Sequence, residues 1–140
     1  MFIDSQLLLS DAQALTATAA STNYIDLSAD RDIGKGEPMA LVVGVDVAMA
    51  GTTPTFAAAI QTDDNTGFSS ATTLMTGQTY STTLAAGTIM VIPIPETSER
   101  YVRANYTLGG TTPTVTVTSW VVPMSMVQNF IIYPNGYTIS

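Results

Sequence analysis

Gly51-Thr52-Thr53-Pro54-Thr55 recurs as Gly110-Thr111-Thr112-Pro113-Thr114, and each copy runs straight into an apolar stretch, 56–60 and 115–122. Glycine supplies backbone freedom at the head of the phrase. Proline fixes φ at about −65° and biases the residue before it toward an extended shape. The phrase therefore predicts a turn that opens into a strand, and a chain that spells it twice is predicted to be built from paired strands and turns.

The segments around the two copies follow the same pattern. Residues 39–48 alternate, with Leu41, Val43, Val45 and Val47 on one face and Gly44 and Asp46 on the other, as a strand requires. A second strand over 56–62 ends at Asp63-Asp64-Asn65-Thr66-Gly67. Short strands are expected over 24–27, 71–75 and 79–84, and 29–38 reads as a loop. Residues 88–94 form a strand punctuated by Pro93 and Pro95, which places it at a sheet edge. Residues 101–108 alternate again, with Val102, Ala104, Tyr106 and Leu108 opposite Tyr101, Arg103, Asn105 and Thr107, before Gly109-Gly110 turns the chain into 114–122.

Both ends are harder to type. Ser10 and Gln13 have capping-box spacing, but Thr16, Thr18, Ser21 and Thr22 are poor helix interior and no 3.6-residue apolar stripe develops. Residues 1–22 are therefore expected to be an extended arm or an edge strand. Residues 124–140 hold Phe130, Ile131, Ile132, Tyr133, Tyr137 and Ile139 around Pro134-Asn135-Gly136, too apolar a set to stay in water, and are expected to form a C-terminal arm or part of the body. The expected fold is all-β, with about eight short strands closing as a β-sandwich or jelly roll in a single domain over 1–140.

Composition narrows function. The chain is 46% hydrophobic and only 11% charged, and its 11 acidic and 4 basic residues give a net charge of −7. Arg31, Lys35, Arg100 and Arg103 are too few and too dispersed for a phosphate-binding stripe, so no nucleic-acid partner is expected. Cysteine is absent, which removes disulfides and thiolate metal sites, and histidine is absent, which removes the commonest acid–base catalyst. The start lacks a basic segment followed by an apolar one, and the longest apolar stretch, 39–51, is interrupted by Asp46 and falls short of the roughly 20 residues of a membrane span. A soluble chain made in the cytoplasm, with no membrane partner, is the expectation.

Candidate chemistry is sparse. Glu96 with Glu99, or Asp63 with Asp64, could form a carboxylate pair, but both pairs fall in expected turns, where acids serve the backbone. The Asp63–Gly67 stretch opens like a calcium loop, yet the position of its closing acid falls on Leu74, so an Asx turn is expected instead. Gly34-Lys35-Gly36 lacks phosphate-loop spacing and reads as a surface loop offering a basic contact. Trp120 with Tyr101 and Tyr106 could make a sugar-stacking platform, or could simply pack in the sheets. No catalytic, metal or cofactor residue is assigned, and an enzyme is not expected.

The stretch Leu9-Ser10-Asp11-Ala12-Gln13-Ala14 through Tyr24-Ile25-Asp26-Leu27, continued by Arg31-Asp32-Ile33-Gly34-Lys35-Gly36-Glu37-Pro38, resembles the cement (decoration) proteins of tailed-bacteriophage heads, of the Bordetella podovirus type. Arg100-Tyr101-Val102-Arg103-Ala104-Asn105-Tyr106-Thr107, followed by Gly109-Gly110-Thr111-Thr112-Pro113-Thr114, is similar to the same family. The resemblance implies a jelly roll on the outer surface of an HK97-type capsid in the virion. It implies a homo-oligomer, a dimer by expectation, that bridges major capsid proteins and has no catalytic residues to carry over. The partner-binding residues expected on this reading are Phe2, Ile3, Arg31, Lys35, Tyr101, Arg103, Asn105, Phe130, Tyr133 and Tyr137. The alternative is a receptor- or carbohydrate-binding module of an adsorption apparatus, with its cleft around Trp120.

Overall fold

A computed structural model of the protein describes residues 5–29, 38–81 and 84–127. Among these residues seven strands form one antiparallel sheet: β1 (Leu8–Leu15), β2 (Ala19–Ala20), β3 (Ile25–Asp26), β4 (Met39–Asp63), β5 (Thr72–Thr76), β6 (Ile89–Ile94) and β7 (Tyr101–Pro123). A single helical turn, α1 (Met124–Val127), follows β7. The all-β class is as the sequence predicts.

The strand count is lower than expected because the twin phrases do not begin new strands. They lie inside β4 and β7, which are 25 and 23 residues long, and they face each other across the ladder: Ala50 opposes Thr114, Thr52 opposes Thr111 and Thr55 opposes Gly109. The register slips at each of these steps. Gly51 and Gly110 sit at φ 130 and 97, and Thr53 and Thr112 at φ 47 and 48, so the two strands leave the β region together. Paired bulges of this kind bend a sheet and increase its twist. A Cβ on Gly51 would lie 2.9 Å from the Thr112 carbonyl oxygen, and one on Gly110 would lie 2.5 Å from that of Thr53, so at both positions the strands approach too closely for a side chain.

The bend folds the β4–β7 ribbon back on itself into two layers. In layer one, residues 39–47 of β4 pair with 116–123 of β7, flanked by β1 and β6. In layer two, residues 55–63 pair with 101–109, flanked by β5 on one side and by β2 and β3 on the other. Strands β1 and β2 thus lie at the edge beside β7, and the chain passes between them from layer one to layer two. The β1 register shifts twice, between Leu8 and Ser10 and between Ser10 and Gln13, and Ala12 in the second shift has φ 47.

Alternation decides which side chains meet between the layers. Leu41, Val43, Val45, Val117 and Val121 from layer one join Phe56, Ala58, Ile60, Val102, Ala104 and Tyr106 from layer two in one buried cluster. Each large aliphatic or aromatic side chain fully buried this way contributes about 1.5–3 kcal/mol. Phe56 and Tyr106 stack at 6.0 Å. The Tyr106 hydroxyl crosses the interlayer space to the hydroxyls of Ser10 (2.7 Å) and Ser119 (2.5 Å). Burial pushes this phenol above its usual pKa, against the opposing pull of the two serines.

Val47 departs from the expected pattern. A register shift between Val45 and Val47 throws it off the core face, and it is 59% exposed. A second, smaller cluster covers the outer face of layer one, where Trp120, Ala40, Val42 and Val122 pack with Val127 of α1. The Met124 amide donates to the Pro38 carbonyl at 2.7 Å, which folds the start of the expected C-terminal arm onto that face. Of the strand expected over 79–84, Tyr80 forms an isolated bridge to Phe56 and the Leu84 carbonyl accepts from the Met49 amide at 2.9 Å, while 82 and 83 lie outside the described residues.

Candidate partner-binding surface

Because the ribbon doubles back at its middle, both ends of β4 and of β7 collect at the opposite end of the sandwich. The loop 64–71 and the connection 95–100 gather there too. Asp63 shapes the loop. Its carboxylate accepts from the amides of Asn65 (3.2 Å) and Ser70 (2.9 Å) and from the Ser70 hydroxyl, and Asn65 Oδ1 accepts from the Gly67 amide at 2.8 Å. This is the expected Asx turn. Burial alone would raise the Asp63 pKa. The hydrogen bonds from Ser70, Asn65 and Asp64 outweigh it and hold the carboxyl below the ordinary value.

The turn delivers Phe68, at φ 49, onto the outer face of layer two. Arg103 spans that ring with its Cζ 4.2 Å from the centroid, and its Nε donates to Gln61 Oε1 at 2.9 Å. Tyr101 meets Phe68 edge-on at 6.5 Å, and Tyr24 meets Tyr101 and Phe68 at 5.6 and 6.0 Å. Arg100 lies 5.0 Å from the Tyr101 ring centroid and forms a two-pronged ion pair with Asp26 at 2.8 and 3.1 Å. The hydrogen bond from Arg100, helped by the Ser28 amide, lowers the Asp26 pKa. Burial lowers that of Arg103, with Asp63 opposing, and an arginine so placed keeps its charge at neutral pH.

The result is a patch of three aromatic rings interleaved with two guanidinium groups. Tyr24 is 46% exposed at its rim, whereas Phe68 is buried beneath it. Tyrosine and arginine on a rigid apolar base are the residue types that dominate binding energy at protein interfaces.

Three of the ten residues expected to bind partners fall in the described part of the chain, and their period-two spacing does put Tyr101, Arg103 and Asn105 on one face. Asn105, half-buried, lies opposite Ala59 and Ala20. A partner-binding role implies exposure, and that implication needs correction at Tyr101. That residue is only 7% exposed, because Tyr24 and Phe68 arrive from loops to cover it. Those two aromatics were missed. The one hint of Phe68 in the sequence is its place directly after an Asx-turn phrase. Phe2, Ile3, Arg31, Lys35, Phe130, Tyr133 and Tyr137 lie outside the described residues, as does the Gly34-Lys35-Gly36 loop.

The sugar-stacking platform does not assemble. Tyr106 points between the layers, Trp120 belongs to the cluster on the outside of layer one, and Tyr101 sits on the outside of layer two. Glu96 and Glu99 both line a cleft at the patch end of the sandwich. Among the described residues no group of three or more His, Cys, Asp or Glu is placed to hold a metal ion, and no helix is long and apolar enough to cross a membrane.

Fold and surface together define the class: an all-β, sandwich-like protein of antiparallel strands, with an arginine–aromatic patch at the end away from its bend. The sequence profile of the Bbp16 family matches residues 9–121, from the start of β1 almost to the end of β7. The chain therefore belongs to the Bbp16 family, which carries the name of a Bordetella phage protein, and it is a phage-related protein. Nothing among curated proteins matches it.

Proposed function

We propose that the protein is a non-enzymatic cement protein that binds the outside of a phage head and bridges neighbouring major capsid proteins. The arginine–aromatic patch is the observation that carries this reading, because it gives a phage-family protein a preformed surface suited to a protein partner. The resemblance of the 9–27 and 100–114 segments to head cement proteins supports it further. Such a protein needs interface area and no chemistry, and weak contacts suffice when a symmetric shell repeats them many times. We also propose self-association into dimers. Among the described residues β6 pairs only with β4 and exposes Ile89 and Val91, and β5 pairs only with β4 and exposes Met75.

The test is co-sedimentation of the purified protein with heads of its own phage that lack it. Saturation at a fixed number of copies per capsid subunit is the expected result. Absence of saturable binding to expanded heads overturns the reading and favours the adsorption-module alternative.

A further inference from the structure

Two buried side-chain polar atoms among the described residues have no hydrogen-bond partner, Thr62 Oγ1 and Glu99 Oε2. Folded proteins leave few such atoms, because each forfeits its hydration without replacement. Both belong to one place. They line a cleft of about 380 Å³ at the end of the sandwich away from the bend, together with Thr72, Glu96 and Thr97.

The location follows from the fold. Thr62 continues the inward series Phe56, Ala58, Ile60 at the last step of β4, where the core runs out, and it is fully buried. Glu96 and Glu99 come from the connection that carries the chain from β6 in layer one to β7 in layer two. That connection is shaped by its own turn, with the Glu99 amide donating to Thr97 Oγ1 at 3.4 Å. Both unpartnered atoms are thus held at the mouth of the sandwich by backbone fixed for other reasons.

The chemistry of the lining defines its ligand. Two carboxylates can only accept hydrogen bonds when ionised, the threonine hydroxyls can accept, and no basic residue lines the cleft. The occupant must be positively charged and rich in donors. A bare metal ion fits poorly, since only two carboxylates line the cleft and a calcium ion takes about six to eight oxygen ligands. A planar guanidinium, with five donors on a long stem, supplies the kind of donor that both unpartnered atoms lack.

We infer that the Thr62–Glu99 cleft is a socket for an arginine side chain of a partner protein, with the half-buried Glu99 as its counter-charge and Glu96 at the rim. That the partner is the capsid shell rests on the function proposed above, whereas the socket itself does not.

The experiment is a titration of the full chain with N-acetyl-arginine amide, followed by amide chemical shifts, with the citrulline analogue as an uncharged isostere. Saturable shifts at Thr62, Thr97 and Glu99 with the arginine compound alone are expected, and they should vanish in Glu99→Gln. No shifts up to the solubility limit, equal shifts with citrulline, or displacement of arginine by a low concentration of Ca²⁺ each overturn the socket. The wild-type titration decides this even if the variant folds poorly. A second arm measures head binding. Glu99→Gln should lose about tenfold in affinity, as expected on neutralising one partner of a partly buried charge pair. A positive titration with unchanged head binding would keep the socket and exclude the shell as the source of the arginine. Failure of the wild-type protein to bind heads would remove the cement reading alone.

Discussion

The hydroxyl of Tyr106 is bonded to that of Ser119, thirteen residues later in the same strand and in the opposite layer of the sandwich. One strand thus closes on itself through a side chain, and Ser10 from the neighbouring strand completes the group at 2.7 Å. Tyr106→Phe should cost about 1–3 kcal/mol, the penalty for leaving buried hydroxyls unpaired. Ser10 and Ser119 are register partners and can re-pair, which favours the low end of that range. Urea denaturation should show a lower midpoint with an unchanged slope. An unchanged midpoint would mean that the tyrosine hydroxyl has no part in holding the layers together.

Gly110 and Thr53 make opposite predictions at the bend. Gly110→Ala places a Cβ 2.5 Å from the Thr53 carbonyl oxygen and 2.8 Å from that of Thr52, at a backbone φ of 97 that L-residues rarely adopt. A loss of about 2–4 kcal/mol is expected. Thr53 is a β-branched residue at φ 47, and Asn tolerates that conformation far better. Thr53→Asn should therefore raise stability by up to about 1 kcal/mol. Thermal unfolding of the two variants beside the wild type checks both signs.

Asp63 predicts a pH dependence. Its folded-state pKa lies below the ordinary 3.8, so the native state binds fewer protons there than the unfolded chain. The stabilisation is fully present above about pH 4 and fades as the pH falls through the lower folded value. Asp26, lowered by Arg100, adds a second contribution of the same sign. Asp63→Asn should flatten the fall in stability below pH 4 relative to the wild type. Parallel curves for the two proteins would remove Asp63 from the account.

Tyr24 separates binding from folding. It is nearly half exposed, so Tyr24→Ala should change folding stability by less than about 1 kcal/mol. If the patch faces the shell, the same change should weaken head binding by more than about 1 kcal/mol, as truncation of an aromatic anchor does. Equal binding by a well-folded Tyr24→Ala would exclude the patch as the contact.

Local pattern carried the parts of the fold that depend on local pattern. Leu41, Val43 and Val45, and then Val102, Ala104 and Tyr106, alternate because their strands are regular and half of each residue set faces the core. Val47 escaped because a bulge shifts the pleat by one residue, and nothing in its neighbours announces that. The twin phrases were recognisable as a repeat but not as each other's partners. Gly and Pro mark a break in a strand whether the chain turns away or bends with its neighbour, and only the nonlocal pairing of Ala50 with Thr114 decides. The site divides along the same line. The spacing of Tyr101, Arg103 and Asn105 was visible, whereas Tyr24 and Phe68 come to it along loops, and loop paths are not periodic. Of the socket, the Glu96 and Glu99 pair was visible in the sequence, whereas Thr62 was not, because a missing hydrogen bond there is a property of the folded chain and not of any motif.

The bend in β4 and β7 also has a mechanical meaning. Most sandwiches join their layers by loops and side-chain packing, and a shearing force can slide one layer over the other. Here the two central strands run unbroken through both layers and are bonded to each other along both arms. Tension applied to one layer passes into the other along covalent backbone, a path that side-chain packing between layers does not provide. A fold of this kind behaves as a single strap doubled over, suited to carrying sustained load between whatever it is fastened to.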